Sequence, residues 1–342
     1  VQSYAAHLKN AFTDRWSSTL RFGRTTDDST NFANGIVSSI TRTDQDQVAW
    51  QNDVRLPVGT LLLGWEDLKQ QISGTSAYTL KERDIRSYLA GWSASLDAHR
   101  LQANLRRDDN SQFGGHNTGT LAYGYQFAPA WRGSASYGTA FRAPTFNDLY
   151  YPLFYGYVGN PNLQPESARN RELALHYEEA GQHVSATWYR NDVKNLISWS
   201  GLKTPVNVGQ ARIEGITLAY KGFVADYDVG GSLDILDAKD MATGRRLARR
   251  AHERLNLSIG RTLGSWEWRA EMQAVGSRYD DNKNPVPLGG YTLINLHGSY
   301  AINRDWSAFG RINNLFDKQY ELAKDFGTPG VNLFVGLRYA PK

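Results

Sequence analysis

Apolar and polar residues alternate with period two through most of the chain. Over 266–274, Trp266, Trp268, Ala270, Met272 and Ala274 are interleaved with Glu267, Arg269, Glu271 and Gln273. Successive strand side chains point to opposite faces, so the stretch predicts a strand with one apolar face and one polar face. Leu101, Ala103 and Leu105 alternate in the same way with Gln102, Asn104 and Arg106, and Val184, Ala186 and Trp188 with Ser185, Thr187 and Tyr189. Ile294, Leu296 and Tyr300 share one face of 291–302. A helical period of 3.6 is sustained nowhere.

The pattern resolves into about seventeen predicted strands, at 1–12, 16–26, 43–56, 59–72, 80–94, 99–109, 116–127, 131–141, 167–177, 182–197, 205–221, 226–237, 252–261, 266–279, 290–302, 306–315 and 330–340. The connections alternate in kind. Those near 13–15, 57–58, 95–98, 128–130, 178–181, 222–225, 262–265 and 303–305 are tight. Those near 27–42, 73–79, 110–115, 142–166, 198–204, 238–251, 280–289 and 316–329 are longer and rich in Asp, Asn, Gly and Pro. Tight turns at one end and long loops at the other are the layout of an outer-membrane β-barrel, with turns periplasmic and loops extracellular. The competing reading is a soluble propeller or sandwich. A propeller would repeat every 40–50 residues or so, which this sequence does not, and sandwich strands are usually shorter than these.

Strand parity adds an expectation. Bacterial barrels have an even number of strands and both termini in the periplasm. The first connection is tight, so strand 1 runs inward from the outside, and the count is odd. An odd number of strands is therefore expected upstream, because an unclosed barrel leaves unpaired edges in lipid. On this reading residues 1–342 are the C-terminal part of a single barrel domain.

Composition narrows the classes. Trp, Tyr and Phe number 10, 19 and 13, with 32 Gly, which suits many short strands with aromatic ends. No apolar run approaches the roughly 18 residues of a membrane-spanning helix. The absence of Cys excludes disulfides, thiolate metal sites and cysteine nucleophiles. A net charge of +4 without a dense Lys/Arg stripe gives no footprint for nucleic acid. The seven histidines are dispersed, and no Gly-x-Ser-x-Gly, phosphate loop or dinucleotide fingerprint occurs, so an enzyme is not expected. Asp280, Asn282 and Asn284 superficially resemble a calcium loop but lack its Gly and closing Glu. Asp27, Asp28, Asp44 and Asp46 suit either a calcium site or, preferably, a solvated loop.

Two longer motifs are specific. Ser136-Tyr-Gly-Thr-Ala-Phe-Arg-Ala-Pro-Thr145 is followed by Leu149-Tyr150 and by Gly159-Asn-Pro-Asn-Leu-Gln-Pro-Glu166, and Asn313-Asn-Leu-Phe-Asp-Lys-Gln-Tyr-Glu321 lies near the end. Both resemble the barrel signatures of TonB-dependent outer-membrane transporters. Asp108-Asp-Asn-Ser-Gln-Phe-Gly114, Tyr189-Arg-Asn-Asp-Val193, Gln210-Ala-Arg-Ile-Glu-Gly215, Leu247-Ala-Arg-Arg-Ala251 and Gly276-Ser-Arg-Tyr-Asp280 resemble the cobalamin receptors within that family. Physically, Pro144, Pro161 and Pro165 stiffen one long loop. Asn160-Pro161-Asn162 is a turn former, and Tyr150, Tyr151, Tyr155 and Tyr157 either pack on neighbouring loops, the favoured reading, or stack on a ligand. Asn313–Tyr320 reads as architecture at the outer rim. Trp266, Trp268 and Trp306 near the turns suit an interfacial girdle.

The resemblance implies an all-β transmembrane antiparallel barrel of about 22 strands around an N-terminal plug, of which about 17 are present here. It implies residence in the bacterial outer membrane as a monomer, cobalamin or a related corrinoid as ligand at the outer mouth, and import powered through the TonB complex. The plug, the TonB-contacting segment and the family's calcium-binding aspartates are expected in residues outside this chain, which itself is expected to hold no cofactor. Residue by residue, the resemblance assigns ligand contact to Arg249, to Phe326 where the family has a tyrosine, and to Asn31. The chain departs from the family in finishing Ala340-Pro341-Lys342 rather than in an aromatic. Alternative functions are a TonB-dependent receptor for another ligand, such as a ferric siderophore, and a passive porin-like pore. For Arg249 and Arg250, the alternative to ligand contact is charge balance against Asp237 and Asp240.

Overall fold

The computed structural model describes residues 1–154, 156–199, 203–281, 283 and 286–341. Eight strands come first: β1 (Gln2–Thr13), β2 (Trp16–Ala33), β3 (Ile36–Arg55), β4 (Thr60–Gly74), β5 (Glu82–Leu96), β6 (His99–Asn110), β7 (Gly114–Ala128) and β8 (Trp131–Arg142). The short helix α1 (Phe146–Tyr150) follows. Then come β9 (Glu166–Glu179), β10 (Gln182–Ser198), β11 (Val206–Val224), β12 (Tyr227–Asp240), β13 (Glu253–Leu263) and β14 (Trp266–Val275). The last part holds β15 (Arg278–Tyr279), β16 (Pro287–Leu288), β17 (Tyr291–Ala301), β18 (Trp306–Asn313), β19 (Glu321–Ala323), β20 (Phe326–Gly327) and β21 (Asn332–Tyr339). Seventeen of these strands belong to one antiparallel sheet, while β15–β16 and β19–β20 are separate two-stranded pairs. Every strand expected from alternation is therefore present, and the two small pairs lie within segments read as loop or strand end.

By contact density the chain forms two compact units, Val1–Tyr125 with Ala135–Arg171 and Asp192–Gln210, and Gln126–Ser134 with Glu172–Asn191 and Ala211–Lys342. In the first unit, β1 to β7 pair consecutively. In the second, β11 to β14 pair in order, then β14 with β17, β17 with β18 and β18 with β21. All residues of β1 are exposed. At the other end of the sequence, Tyr339 pairs with Trp306, and Ala340 N donates to Asp305 O, so β21 finishes beside the tight turn at 302–305.

Two connections differ from the sequence expectation. Segment 27–42 is not a loop: β2 and β3 remain paired up to Ala33 and Ile36 and reverse at Asn34-Gly35, where φ is 51° and 77°. Asn-Gly is the dipeptide that tolerates positive φ at both centres of a type I′ turn, and the flanking Ile, Val, Thr and Ser residues keep the arms extended. The connection at 110–115 shrinks to 111–113, because Asn110 Oδ1 accepts from Gln112 N and Phe113 N and closes the turn locally.

Register sorts the side chains onto two faces. In the second unit the rows Trp266–Tyr300–Ala308–Leu337, Trp268–Gly298–Gly310–Val335 and Ala270–Leu296–Ile312–Leu333 lie on one face. The opposite face carries Glu267, Arg269, Glu271 and Gln273, with Asn295 and His297 opposite Glu271 and Arg269. In the first unit Ala90, Trp92 and Ala94 share a face with Leu101, Ala103, Leu105, Leu121 and Tyr123. Arg106 lies on the other face and bonds Asp108, Ser87 and Glu66. The faces expected for Leu101, Ala103, Leu105 and for Trp266 to Ala274 are thus the ones observed.

The apolar faces are uncovered. Leu105, Leu121 and Leu333 are 70%, 62% and 69% exposed. A fully buried Leu or Phe gains about 1.5–3 kcal/mol over an exposed one, so rows of them in water would forgo most of the apolar stabilisation. Bilayer hydrocarbon removes that cost. The residues buried within protein, such as Ile72, Tyr78, Phe146, Leu149, Leu163 and Leu247, lie instead near the long connections.

Candidate functional site

The long connections carry two side-chain assemblies, one in each unit. In the first unit, Thr145 caps α1: its Oγ1 accepts from Asp148 N, and Asp148 Oδ2 accepts from Thr145 N. Phe146 packs with Ile72, Tyr78 and Tyr150. The buried Arg83 guanidinium donates to Gln112 Oε1 at 2.7 Å and Pro144 O at 2.9 Å and lies over the rings of Phe113 and Phe146. Gln112 in turn donates to the Tyr150 hydroxyl at 2.7 Å. Tyr78 donates to Asn147 Oδ1 at 2.6 Å, and burial pushes its hydroxyl pKa up, keeping it a donor.

The same loop is tied down further on. Trp199 Nε1 donates to Asp148 Oδ1, and Asn160 Nδ2 to Pro205 O. Gly159 is required sterically, because a Cβ there would lie 2.6 Å from Leu149 C and Tyr151 N. Of the tyrosines, Tyr150 and Tyr151 pack on neighbours, Tyr151 edge-on to Trp199. Leu153 and Tyr157 are exposed. Tyr155 lies outside the described residues.

In the second unit three long connections converge. Arg249 N donates to Tyr279 O at 2.7 Å and Arg249 Nε to Asp280 Oδ1 at 3.0 Å. The same carboxylate oxygen accepts from Lys324 N at 3.2 Å, so Asp280 joins the Arg249 loop to the β19–β20 hairpin that carries Phe326. Below this contact, Arg278 is buried, lies over the Tyr291 ring and donates to the Glu321 carbonyl. Tyr291 packs on Tyr320. Asn314 clamps the next segment: its side chain accepts from Lys318 N and donates to Lys318 O, and its N donates to Asn295 Oδ1. Asn313–Tyr320 is thus a folded rim, as the sequence reading expected. Arg249 remains about half exposed and Phe326 is 72% exposed.

Arg249 and Phe326 are therefore brought into one assembly. Asn31 lies in the first unit, near the tip of the β2–β3 hairpin, where its Nδ2 donates to Ser39 Oγ. The ion-pair partner of Arg249 is Asp280, whereas Asp237 is held by Lys239 and Asp240 by Ala242 N and Thr243, which corrects the simple charge-balance alternative for Arg249. In the sequence Asp280 stands out only as a superficial match to a calcium loop. Its position at the end of the Gly276–Asp280 motif is the signal that points to it. Asn282 and Asn284 lie outside the described residues.

Three of the four aspartates singled out in the β2–β3 hairpin are engaged with neighbouring side chains. Asp44 accepts from Thr26 and Arg42 and lies 3.7 Å from Arg24, Asp46 lies 3.7 Å from Arg24, and Asp28 3.9 Å from Arg42. Asp44 is about 36 Å along the strand from Arg55 at roughly 3.3 Å per residue, beyond an apolar band about 25 Å tall even when the strand is tilted. The Arg42 and Thr26 hydrogen bonds hold its carboxyl well below the usual range, at about 2.

Comparison with known proteins finds the TonB dependent receptor-like, beta-barrel family over residues 1–315. The Vitamin B12 transporter BtuB of Photobacterium profundum is 33% identical over 324 residues, spanning 90% of this chain and 52% of that protein. The chain thus spans about half the length of this curated relative. Among solved structures, a ferric enterobactin receptor (PfeA) of Pseudomonas aeruginosa gives a TM-score of 0.79 at 18% identity, covering 98% of this chain and 61% of that one. The copper transporter OprC gives 0.79 at 16% identity over 98% and 64%. At these identities the solved structures speak for the fold alone.

Proposed function

The chain belongs to the TonB-dependent receptor β-barrel family of the bacterial outer membrane, and from that premise we propose that it is the barrel portion of a receptor that imports cobalamin or a related corrinoid. Its long connections face outward and bind the ligand, and its polar face lines the path occupied by a plug. Uptake is driven through the TonB complex, which engages the N-terminal region of the whole receptor. The observation that carries the ligand assignment is the 33% identity to a B12 transporter across 90% of the chain.

The rim chemistry is compatible. Arg249 keeps guanidinium donors facing solvent while its Nε is held by Asp280, and a corrin rim carries many amide acceptors for such donors. Phe326 offers an exposed aromatic face to the flat apolar edge of the ligand. Asn31 is assigned a peripheral polar contact. Calcium, where the whole receptor uses it, is held by residues outside this chain.

The second reading, a receptor for a ferric siderophore or another metal complex, is favoured only by the ligands named for fold neighbours such as the PirA siderophore receptor of Acinetobacter baumannii, at 16% identity. Direct binding to the full-length receptor separates the two. Saturable binding of cyanocobalamin with no competition from ferric enterobactin supports the corrinoid assignment. The reverse pattern removes it, and ligand flux independent of TonB moves the protein to a passive pore.

A further inference from the structure

On the apolar face of the second unit, two glycines stand directly opposite each other, Gly298 on β17 and Gly310 on β18. Their neighbours in the same row are Trp268 and Val335, and the adjacent row carries the Trp266–Tyr300 ring pair, with centroids 4.6 Å apart, then Ala308 and Leu337. Without side chains at the two glycines, the surface is indented into a groove of about 630 Å³. A Cβ on Gly298 would have its nearest neighbour at 3.9 Å, and one on Gly310 at 3.8 Å, so the indentation is open space rather than a close backbone approach. Nothing in strand packing requires glycine here, and Gly in a strand interior weakens the strand.

The groove has a definite depth. Gly310 is about 13 Å along its strand from Trp306, at roughly 3.3 Å per residue. Trp306 packs on Tyr339 beside the tight turn at 302–305. Tight turns of such barrels are periplasmic, so the groove opens into the periplasmic half of the hydrocarbon. Its lower end is framed by aromatic rings at headgroup level. Arg304, in that turn, is exposed and has no ion-pair or hydrogen-bond partner among the described residues.

An apolar slot ending below aromatic rings and an unneutralised guanidinium matches an acyl chain joined to a phosphate. The geometry points to a specific binding site for an anionic phospholipid of the periplasmic leaflet, with one acyl chain in the Gly298–Gly310 groove and its phosphate on Arg304. A specific site is set apart from the general lipid annulus by the two glycines facing each other across β17 and β18, with open space at both Cβ positions.

Native mass spectrometry of the full-length receptor in mild detergent with added phosphatidylglycerol tests the site. One retained phosphatidylglycerol per receptor is expected for the wild type. Gly298→Leu or Gly310→Val, each filling the slot, should lower retention about tenfold in protein whose folding is verified by heat-modified gel mobility. Arg304→Glu should lower retention several-fold and abolish the preference over phosphatidylethanolamine. Undiminished retention in both folded groove variants, or an Arg304→Glu receptor that still prefers phosphatidylglycerol, overturns the proposal. So does loss of a receptor dimer, rather than of lipid, on filling the groove.

Discussion

Arg249 and Asp280 are joined by an Nε–H···Oδ1 hydrogen bond of 3.0 Å between two long connections of the second unit. The same oxygen receives Lys324 N, so one carboxylate fixes both the Arg249 loop and the hairpin bearing Phe326. Arg249 also takes φ of 57°, a left-handed backbone conformation unfavourable for a residue with a Cβ. A strained residue held by a charge-assisted bond is pre-organised, and pre-organised loops bind with less entropy lost.

In the full-length receptor, Arg249→Ala is expected to weaken cyanocobalamin binding at least tenfold. Losing one charge-assisted hydrogen bond costs about 1.5–3 kcal/mol. Phe326→Ala should weaken it as well, whereas Phe326→Tyr should retain or improve it. Equilibrium binding measures all three, and wild-type affinity in folded Arg249→Ala and Phe326→Ala would take both residues out of the site.

Asp280→Asn separates orientation from contact. It keeps an acceptor for Lys324 N but removes the ion pair that orients Arg249. Affinity should fall less than in Arg249→Ala, and its dependence on salt should weaken. Salt titrations of binding for the two variants provide the comparison, and equal losses would show that Asp280 does not act through Arg249.

For Asp44 the sign is that of a depressed carboxylate. Its folded value of about 2 lies below the ordinary value near 3.9. Its contribution to the β2–β3 hairpin is therefore complete above about pH 4 and is lost as pH falls through about 2. A carboxyl carbon resonance of Asp44 should titrate near 2 and move up toward 4 in Arg42→Ala. A midpoint near 4 in the wild type would contradict the Arg42 and Thr26 hydrogen bonds.

Gly159→Ala is expected to loosen the 143–165 loop. The new methyl cannot be seated 2.6 Å from the Leu149 and Tyr151 backbone without displacing it. Limited proteolysis of the whole receptor should cut this loop faster while leaving barrel mobility on gels unchanged. Arg83→Ala should do the same by leaving Gln112 Oε1 and the Pro144 carbonyl without the guanidinium donor.

Ala270→Arg is expected to cost about 2–4 kcal/mol of folding stability, because it carries a charge onto the apolar face within the bilayer. Arg269→Ala, on the opposite face, should be tolerated apart from the lost contact with Asp228. Reversible folding into liposomes distinguishes the two, and similar costs would refute the assignment of faces.

The wall is legible in the order of residues alone. Alternation with period two fixes which residues share a face, as in Trp266 to Ala274, because strand geometry leaves no other option once the segment is extended. It also determined where tight turns fall, and the Asn313 and Gly159 motifs marked the rim. Asn34-Gly35 was legible too, but polarity read the 27–42 segment as loop where turn chemistry makes a hairpin. Which distant residues meet is set by the folded arrangement. Arg83 with Gln112 and Pro144, Arg249 with Asp280, and Gly298 opposite Gly310 depend on register between strands and on loop closure. Those pairings are selected by summed contacts across the sheet and the loops, and no local pattern of residues encodes them.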